Sequence, residues 1–247
     1  MTNAIEIESL GVTFRAPGGG EVMALDGVDL AVAPGRIVGF LGPNGAGKTT
    51  TLQVLLGFLA PTRGAARVLG LPCQAPKARE RVGYLPERAR WYPFLTGREL
   101  LVGFARLFGF PRRAAADRAE ALLAEVGLAE AADRRLGAYS RGMAQRFGLA
   151  QALVQEPDLL ILDEPTSGLD PLGRMAVRAV IQRQRERGAA VFFSSHELSE
   201  VERVCDEVAM LVRGRVRARG RAADLAQPGE SLERCFLRVV EAAEGGA

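Results

Sequence analysis

Apolar residues recur along this chain in two rhythms. Alternating apolar runs predict strands at Ala4–Leu10, Val28–Val32 and Ile37–Leu41. A helix is predicted from Gly47 to Leu59, stopped ahead of Pro61, which cannot continue it. Short strands are predicted at Ala66–Leu69 and Arg81–Leu85. From Thr96 to Glu156 the rhythm changes: Ala, Leu, Arg and Glu fall at helical spacing with almost no β-branched runs. That stretch predicts an insertion of several helices, the last opening near Arg141. The continuous apolar run Leu159–Leu162 predicts a buried strand. Helices at Pro171–Arg187 and Glu197–Val204 then alternate with strands at Ala190–Ser194 and Val208–Val212. Such alternation predicts an α/β chain whose mostly parallel sheet carries helices on both faces. Pro17–Gly20 reads as a flexible turn, and the last few residues are expected to fray.

Composition narrows the class without changing that picture. The 247 residues are 48% hydrophobic and 25% charged, ordinary for a globular protein with a sizeable core. Net charge is only +3, too small a field to argue for nucleic acid or an anionic membrane surface. Cys73, Cys205 and Cys235 are far apart and form no CxxC pair, so free thiols in a reducing compartment are expected. Met1–Ser9 is mixed and charged, unlike a secretory leader. The longest charge-free apolar stretch, Thr49–Thr62, is too short to span a bilayer and contains Gly57 and Pro61. The chain is therefore not expected to cross a membrane by itself. Basic residues carry one further clue: lysine occurs only at Lys48 and Lys77, and every other basic side chain is arginine. Lysine is a compact point charge on a flexible stem, so position 48 looks chemically specified. His196 is the only histidine.

Lys48 lies in Gly42-Pro43-Asn44-Gly45-Ala46-Gly47-Lys48-Thr49, a complete GxxxxGK[ST] pattern between a predicted strand and a predicted helix. Glycines there let backbone N–H groups turn inward around phosphate oxygens, and the helix N-terminus adds partial positive charge. Lys48 is placed to reach the β- and γ-phosphates, Thr49 to ligate Mg²⁺, and Thr50 to donate to the α-phosphate. The alternative, a glycine-rich turn that binds nothing, is weak for a full motif in this context. The buried strand Leu159–Leu162 ends in Asp163-Glu164. Carboxylates at a strand's C-terminal end stand at the ligand crevice of an α/β sheet. Asp163 is expected to hold the Mg²⁺ shell. Glu164, pointing the other way on the strand, is expected to activate the attacking water as general base. Together these residues predict an ATPase using ATP and Mg²⁺.

From Ile5 to about Leu225 the sequence resembles the nucleotide-binding subunit of ABC transporters. The distinctive mark is Tyr139-Ser140-Arg141-Gly142-Met143-Ala144-Gln145-Arg146, which looks like that family's signature segment. Arg141 stands where the first of two glycines is usual, and Ala144 where glutamine is usual; the form resembles the variant in bacterial exporter ATPases. The resemblance implies a P-loop NTPase core with an N-terminal antiparallel β subdomain and an inserted α-helical subdomain. It implies an ATP-binding domain over 1–230, with the insertion about 94–156, and a short helical tail over 231–247. Ser140 and the backbone of Gly142 would cap the γ-phosphate held by an opposing copy. Ser167-Gly168-Leu169-Asp170 resembles the loop that crosses the dimer interface, with Asp170 its acid. His196 resembles the switch histidine that contacts the γ-phosphate. Lys48, Glu164 and His196 would thus be the catalytic set, and Thr49 and Asp163 would hold the metal.

Two positions depart from the family pattern. Glu87 stands where glutamine is usual, and a carboxylate there could also approach Mg²⁺. Ala16 stands where an aromatic usually stacks on adenine; Phe14 is nearby and reads as a core position. Ser231–Leu237 resembles the closing helix of the exporter-type subfamily, although a generic amphipathic helix reads as well.

The resemblance also implies partners. Two copies would face each other head to tail, an isologous dimer around two ATP molecules. Separate membrane permease subunits would dock near Glu87–Arg98, a stretch with Trp91, Tyr92 and Phe94, for which core packing is an equal alternative. The expected location is peripheral, on the cytoplasmic face of the cell membrane, and the expected direction is export. The competing reading is a soluble ABC-type ATPase acting on a ribosomal or DNA partner. Such proteins usually carry two of these domains or a long coiled coil, and neither is seen here. A kinase or GTPase would leave the segment around Ser140 unexplained, and no NKxD motif occurs.

Overall fold

The computed structural model describes residues 2–16 and 18–245. In chain order it begins with strands β1 (Ile5–Arg15), β2 (Glu21–Val32) and β3 (Ile37–Leu41), then helix α1 (Lys48–Leu55). Strands β4 (Arg63–Val68), β5 (Leu71–Pro72) and β6 (Val82–Leu85) follow. Three helices come next, α2 (Gly97–Leu107), α3 (Arg112–Glu125) and α4 (Arg141–Ala152). The last part alternates: β7 (Leu159–Asp163), α5 (Pro171–Glu186), β8 (Ala190–Ser195), α6 (Leu198–Val204), β9 (Glu207–Val212), β10 (Arg215–Gly220), α7 (Ala222–Leu225) and α8 (Leu232–Glu244).

Side-chain caps set where α2, α4 and α5 begin. Thr96 opens α2 with a reciprocal capping box to Glu99. Ser140 opens α4 by accepting the Met143 N–H, and Asp170 opens α5 by accepting the Gly173 N–H, with Pro171 at the first helical position. Each cap satisfies a donor that the helix itself leaves unpaired.

Two sheets result. β2-β1-β4-β5 form an antiparallel sheet, and β10-β9-β3-β8-β7-β6 form a second, in which only β10 runs antiparallel to its neighbour. Side chains of the parallel strands alternate between two cores. Ile37, Leu160, Leu162, Val191 and Phe193 join the core under α2–α6 and α8. Val38, Phe40, Leu159, Ile161 and Phe192 join the core shared with α1 and the antiparallel sheet. Burial on both faces is why β7 reads as an unbroken apolar run rather than an alternation.

Several elements differ from the sequence expectation, and three differences are informative. The β1–β2 hairpin is longer, reaching Arg15 and starting again at Glu21. Register shifts at Ile7/Leu10, Leu10/Val12 and Val12/Thr13 interrupt its period and hide it from the pattern. Helix α1 ends at Leu55, four residues before Leu59, because Gly57 turns the chain at φ 69°. Strand β10 was not expected: Arg215, Arg217 and Arg219 alternate with Val216 and Ala218, so an edge strand is written in charge rather than in apolar residues. Pro17 of the predicted turn and the last two residues, 246–247, lie outside the described residues. Ala16 closes that turn through its N–H, which donates to Gly20 O.

Candidate active site

Four parallel strands, β3, β8, β7 and β6, end along one edge of the second sheet, and the chain just beyond each bears a predicted site residue. The phosphate loop follows β3, Asp163-Glu164 lies at the end of β7, His196 follows β8, and Glu87 follows β6. A crevice at the C-terminal ends of parallel strands is where this architecture binds ligands. A cavity of about 210 Å³ there is lined by Ala24, the loop from Pro43 to Thr50, Glu87, Asp163 and Glu164. A second, of about 440 Å³, adjoins it through Pro43, Asn44, Glu87 and Glu164, and adds Gly42, Ser195, His196, Leu198 and Phe236. Every predicted phosphate-loop residue, including Thr49 and Thr50, therefore lines one or both.

The loop's shape follows from what surrounds it. Gly47 caps α1 with φ 107°, and a Cβ there would lie 2.6 Å from Leu25 Cδ2 and 2.7 Å from Ala24 O. Both the left-handed backbone and the missing side chain are required. The Lys48 ammonium donates to Gly42 O at 2.6 Å and Pro43 O at 3.3 Å, curling back over the loop. Burial pulls the Lys48 pKa down, and Glu164, Asp163 and Glu87 oppose that by favouring its charge.

Asp163 is buried, and its Oδ1 accepts the Ser194 hydroxyl at 2.5 Å. Burial holds its pKa above the ordinary value, with Glu164 and Glu87 acting in the same sense and the Ser194 hydrogen bond and Lys48 against it. Glu164 corrects one expectation. It is not a strand residue pointing to the opposite face but the first residue past β7, with φ 51°. A non-glycine residue in this region is strained and persists only where its surroundings hold it. Its N–H donates to Ser194 O at 3.2 Å and to Ser194 Oγ at 3.1 Å. Its Oε2 lies 2.7 Å from His196 Nδ1 and accepts the His196 N–H at 3.4 Å. From the other side the Gln145 amide donates to Glu164 O and Pro165 O at 3.3 Å each.

Ser194 and Gln145, which hold Asp163 and the Glu164 backbone, were not among the predicted residues. Gln145 had a signal in its place within the segment around Ser140; Ser194 had none beyond lying close before His196.

Ser140, Gly142 and Asp170 line neither cavity within one copy. They cluster instead at the adjacent N-termini of α4 and α5, where Leu169 packs 3.4 Å from a Cβ built on Gly142. Phe14 is corrected from core to surface: it is 41% exposed and sits directly opposite Val22 in the hairpin, two residues from the cavity-lining Ala24. The aromatics near Glu87 divide. Trp91 packs edge-on against Phe104 and Phe147, whereas Tyr92 and Phe94 are exposed and lie against each other. Helix α8, capped by Ser231, brings Phe236 to the wall of the larger cavity.

A site for Mg²⁺ fits these donors. The Thr49 hydroxyl and the Asp163 carboxylate are hard oxygen ligands on the wall of one cavity. Glu87 shares that wall, but among the described residues no three acidic, histidine or cysteine side chains converge on one point. A cation that takes one or two carboxylates plus substrate phosphates suits that supply. Among the described residues no helix is long and apolar enough to cross a membrane.

Comparison with known proteins agrees with this geometry. A family model described as "ABC transporter" matches residues 25–167. An uncharacterised ABC transporter ATP-binding protein of Synechocystis sp. is 44% identical over 86% of this chain, which spans 61% of that relative's length. Another from Bacillus subtilis is 42% identical over 98% of this chain and 78% of its own. A Nod factor export ATP-binding protein I of Paraburkholderia xenovorans is 42% identical over 81% of this chain and 67% of its own. Among solved structures, an ATP-binding subunit of an ABC transporter superposes with a TM-score of 0.85 at 31% identity, covering 96% of this chain and 99% of that one. A dimeric post-hydrolysis ATP-binding cassette bound to ADP and Pi shares the fold, with a TM-score of 0.81 at 20% identity over 88% of this chain and 98% of its own.

Proposed function

From the premise that this chain belongs to the ABC transporter family as an ATP-binding protein, we propose that it hydrolyses ATP to drive export through a separate membrane permease. The observation that carries the hydrolytic part is Glu164, held in a strained backbone position with one carboxylate oxygen on His196 Nδ1, at the wall it shares with Lys48. With Oε2 engaged by His196, Oε1 is the free acceptor for a proton from the attacking water. Lys48 would leave the Gly42 and Pro43 carbonyls for the β- and γ-phosphates. The loop's N–H groups would hold the remaining phosphate oxygens, with Thr50 donating to the α-phosphate. Mg²⁺, when bound through Thr49 and Asp163, would neutralise charge on the β- and γ-phosphates. Water attack then yields ADP and phosphate, with the water proton accepted by Glu164.

Ser140, Gly142 and Asp170 form a separate surface that a second copy could bring against the first copy's nucleotide. That supports a head-to-tail dimer closing on two ATP molecules and opening after hydrolysis, and the dimeric cassette of the same fold agrees. Export is favoured by similarity to the Nod factor export protein. The exposed pair Tyr92 and Phe94 suits an anchor for a permease's cytoplasmic segment, placing the chain peripherally at the membrane.

Glu164→Gln tests the core of this reading. The variant is expected to bind ATP, to dimerise when ATP and Mg²⁺ are added, and to lose nearly all turnover. Wild-type phosphate release from that variant would show that Glu164 is not the base.

A further inference from the structure

Helix α4 opens with an arginine. The Arg141 side chain is exposed, and its Nη2 donates to Ser167 Oγ at 3.3 Å. Its guanidinium lies over Gly168, where a Cβ would come within 2.7 Å of Arg141 Cζ. Gly168, at φ 70°, thus makes room for the cation at the surface that carries Ser140 and Asp170. Among the described residues no carboxylate pairs with Arg141; its hydrogen-bond partner is a neutral hydroxyl. A guanidinium oriented by a neutral group keeps its charge available to an anion.

The nucleotide cavity has the opposite imbalance. Glu87, Asp163 and Glu164 share its wall with one cation, Lys48. A triphosphate adds several further negative charges. His196, the other basic group nearby, is engaged with Glu164.

We propose that Arg141 acts in trans: its guanidinium contacts the terminal phosphate held by the phosphate loop of a second copy and offsets the Glu87 carboxylate of that copy. This rests on the head-to-tail dimer and adds a residue and a charge relationship to it. Ser140 and Gly142 donate through a neutral hydroxyl and a neutral amide, whereas Arg141 brings a full charge one residue away. Removing it costs turnover chiefly in kcat, because phosphate charge is redistributed most in the transition state. The expected loss for Arg141→Ala is on the order of tenfold to a hundredfold, below the effect of fully enclosed arginine fingers. Arg141→Lys retains most of the activity. Glu87→Gln made on top of Arg141→Ala restores part of it.

The deciding experiment mixes variants. A dimer of one Arg141→Ala copy and one Glu164→Gln copy has one site with a native base and, from the other copy, a native Arg141. Under action in trans, the turnover of this heterodimer, once the homodimer contributions are subtracted, equals that of the heterodimer of wild type with Glu164→Gln. Turnover that stays well below that reference overturns the proposal, because Arg141 then serves only its own copy. ATP-dependent dimerisation of Glu164→Gln, read by light scattering, reports on the dimer separately. If that variant stays monomeric the dimer reading fails; if it dimerises and mixing brings no rescue, the role of Arg141 alone fails.

Discussion

Gln145→Leu asks whether the strained backbone at Glu164 is held by its surroundings. Gln145 is 8% exposed, and its amide donates to two successive carbonyls, Glu164 O and Pro165 O. Leucine has similar bulk and cannot donate. Glu164 O keeps another donor, the Ser167 N–H at 3.2 Å, so Pro165 O is the acceptor left without a partner. One orphaned buried carbonyl costs roughly 1–3 kcal/mol, and the apolar leucine recovers part of it. The net loss is about 1–2 kcal/mol. At about 2–4 °C per kcal/mol for a chain of this size, Tm falls by roughly 2–8 °C. The functional effect is larger than that loss suggests, because freed carbonyls let the Glu164 backbone relax and carry the carboxylate off its line to the water. We expect kcat to drop at least tenfold, about 1.4 kcal/mol of barrier, with ATP affinity nearly unchanged since the phosphate loop is untouched. Differential scanning calorimetry gives the first number. Steady-state phosphate release well below the variant's Tm gives the second. A lowered Tm with wild-type kcat would refute the positioning role, and an unchanged Tm would refute the hydrogen-bond account itself.

Two further predictions follow from charge placement. Helices α5 and α6 are joined by Arg178 and the buried Glu200, 3.3 Å apart, so Arg178→Met strands a buried carboxylate and should cost about 3–5 kcal/mol. A melting curve within 2–3 °C of wild type would exclude this. At the C-terminus, hydrogen bonds from Arg238 draw the Glu230 pKa from 4.5 down to about 2. A depressed carboxylate stabilises the fold above the unfolded value and loses that contribution as pH falls through the folded one. The Tm advantage of wild type over Glu230→Gln should therefore be constant at neutral pH and shrink as pH drops from 4.5 toward about 2. An advantage independent of pH across that range would mean that Arg238 is not its source.

What the sequence discloses here depends on how local the cause is. The phosphate loop is legible because the residue types that its geometry and ligand chemistry require all fall within Gly42–Thr49, although Ala24 and Leu25 are what make Gly47 necessary. The buried strands β3, β7 and β8 are legible because burial on both faces writes itself as apolar composition. The environment of Glu164 is not. Its conformation is set by Ser194, 30 residues on, and Gln145, 19 residues back, and no window contains all three. The hairpin β1–β2 and strand β10 escape for different reasons, register shifts in one and edge arginines in the other. The Phe14 error has a similar origin: strand alternation says which residues share a face, but not whether anything covers that face.

Helix α4 ties the two halves of the proposed cycle together. Under the dimer reading its N-terminal residues, Ser140 to Gly142, face a second copy. Gln145 is on the same helix, about 7.5 Å along the axis from Ser140, and donates to the backbone of Glu164 in its own copy, the proposed base. A displacement of α4 that seats Ser140 on a partner's phosphate must also move Gln145 relative to β7, unless the helix bends. Nothing in its interior favours bending: Arg141–Ala152 contains no proline, and Gly148 packs close to Leu85 and Trp91. Under the dimer reading, closure over one nucleotide therefore adjusts the base acting on the other, and no separate relay is required. That gives Gln145 a second consequence. In Gln145→Leu the two sites should turn over independently, so a turnover curve that is sigmoidal in ATP for wild type becomes hyperbolic for the variant. If the variant kept the wild-type Hill coefficient while losing kcat, Gln145 would hold the base without linking the sites.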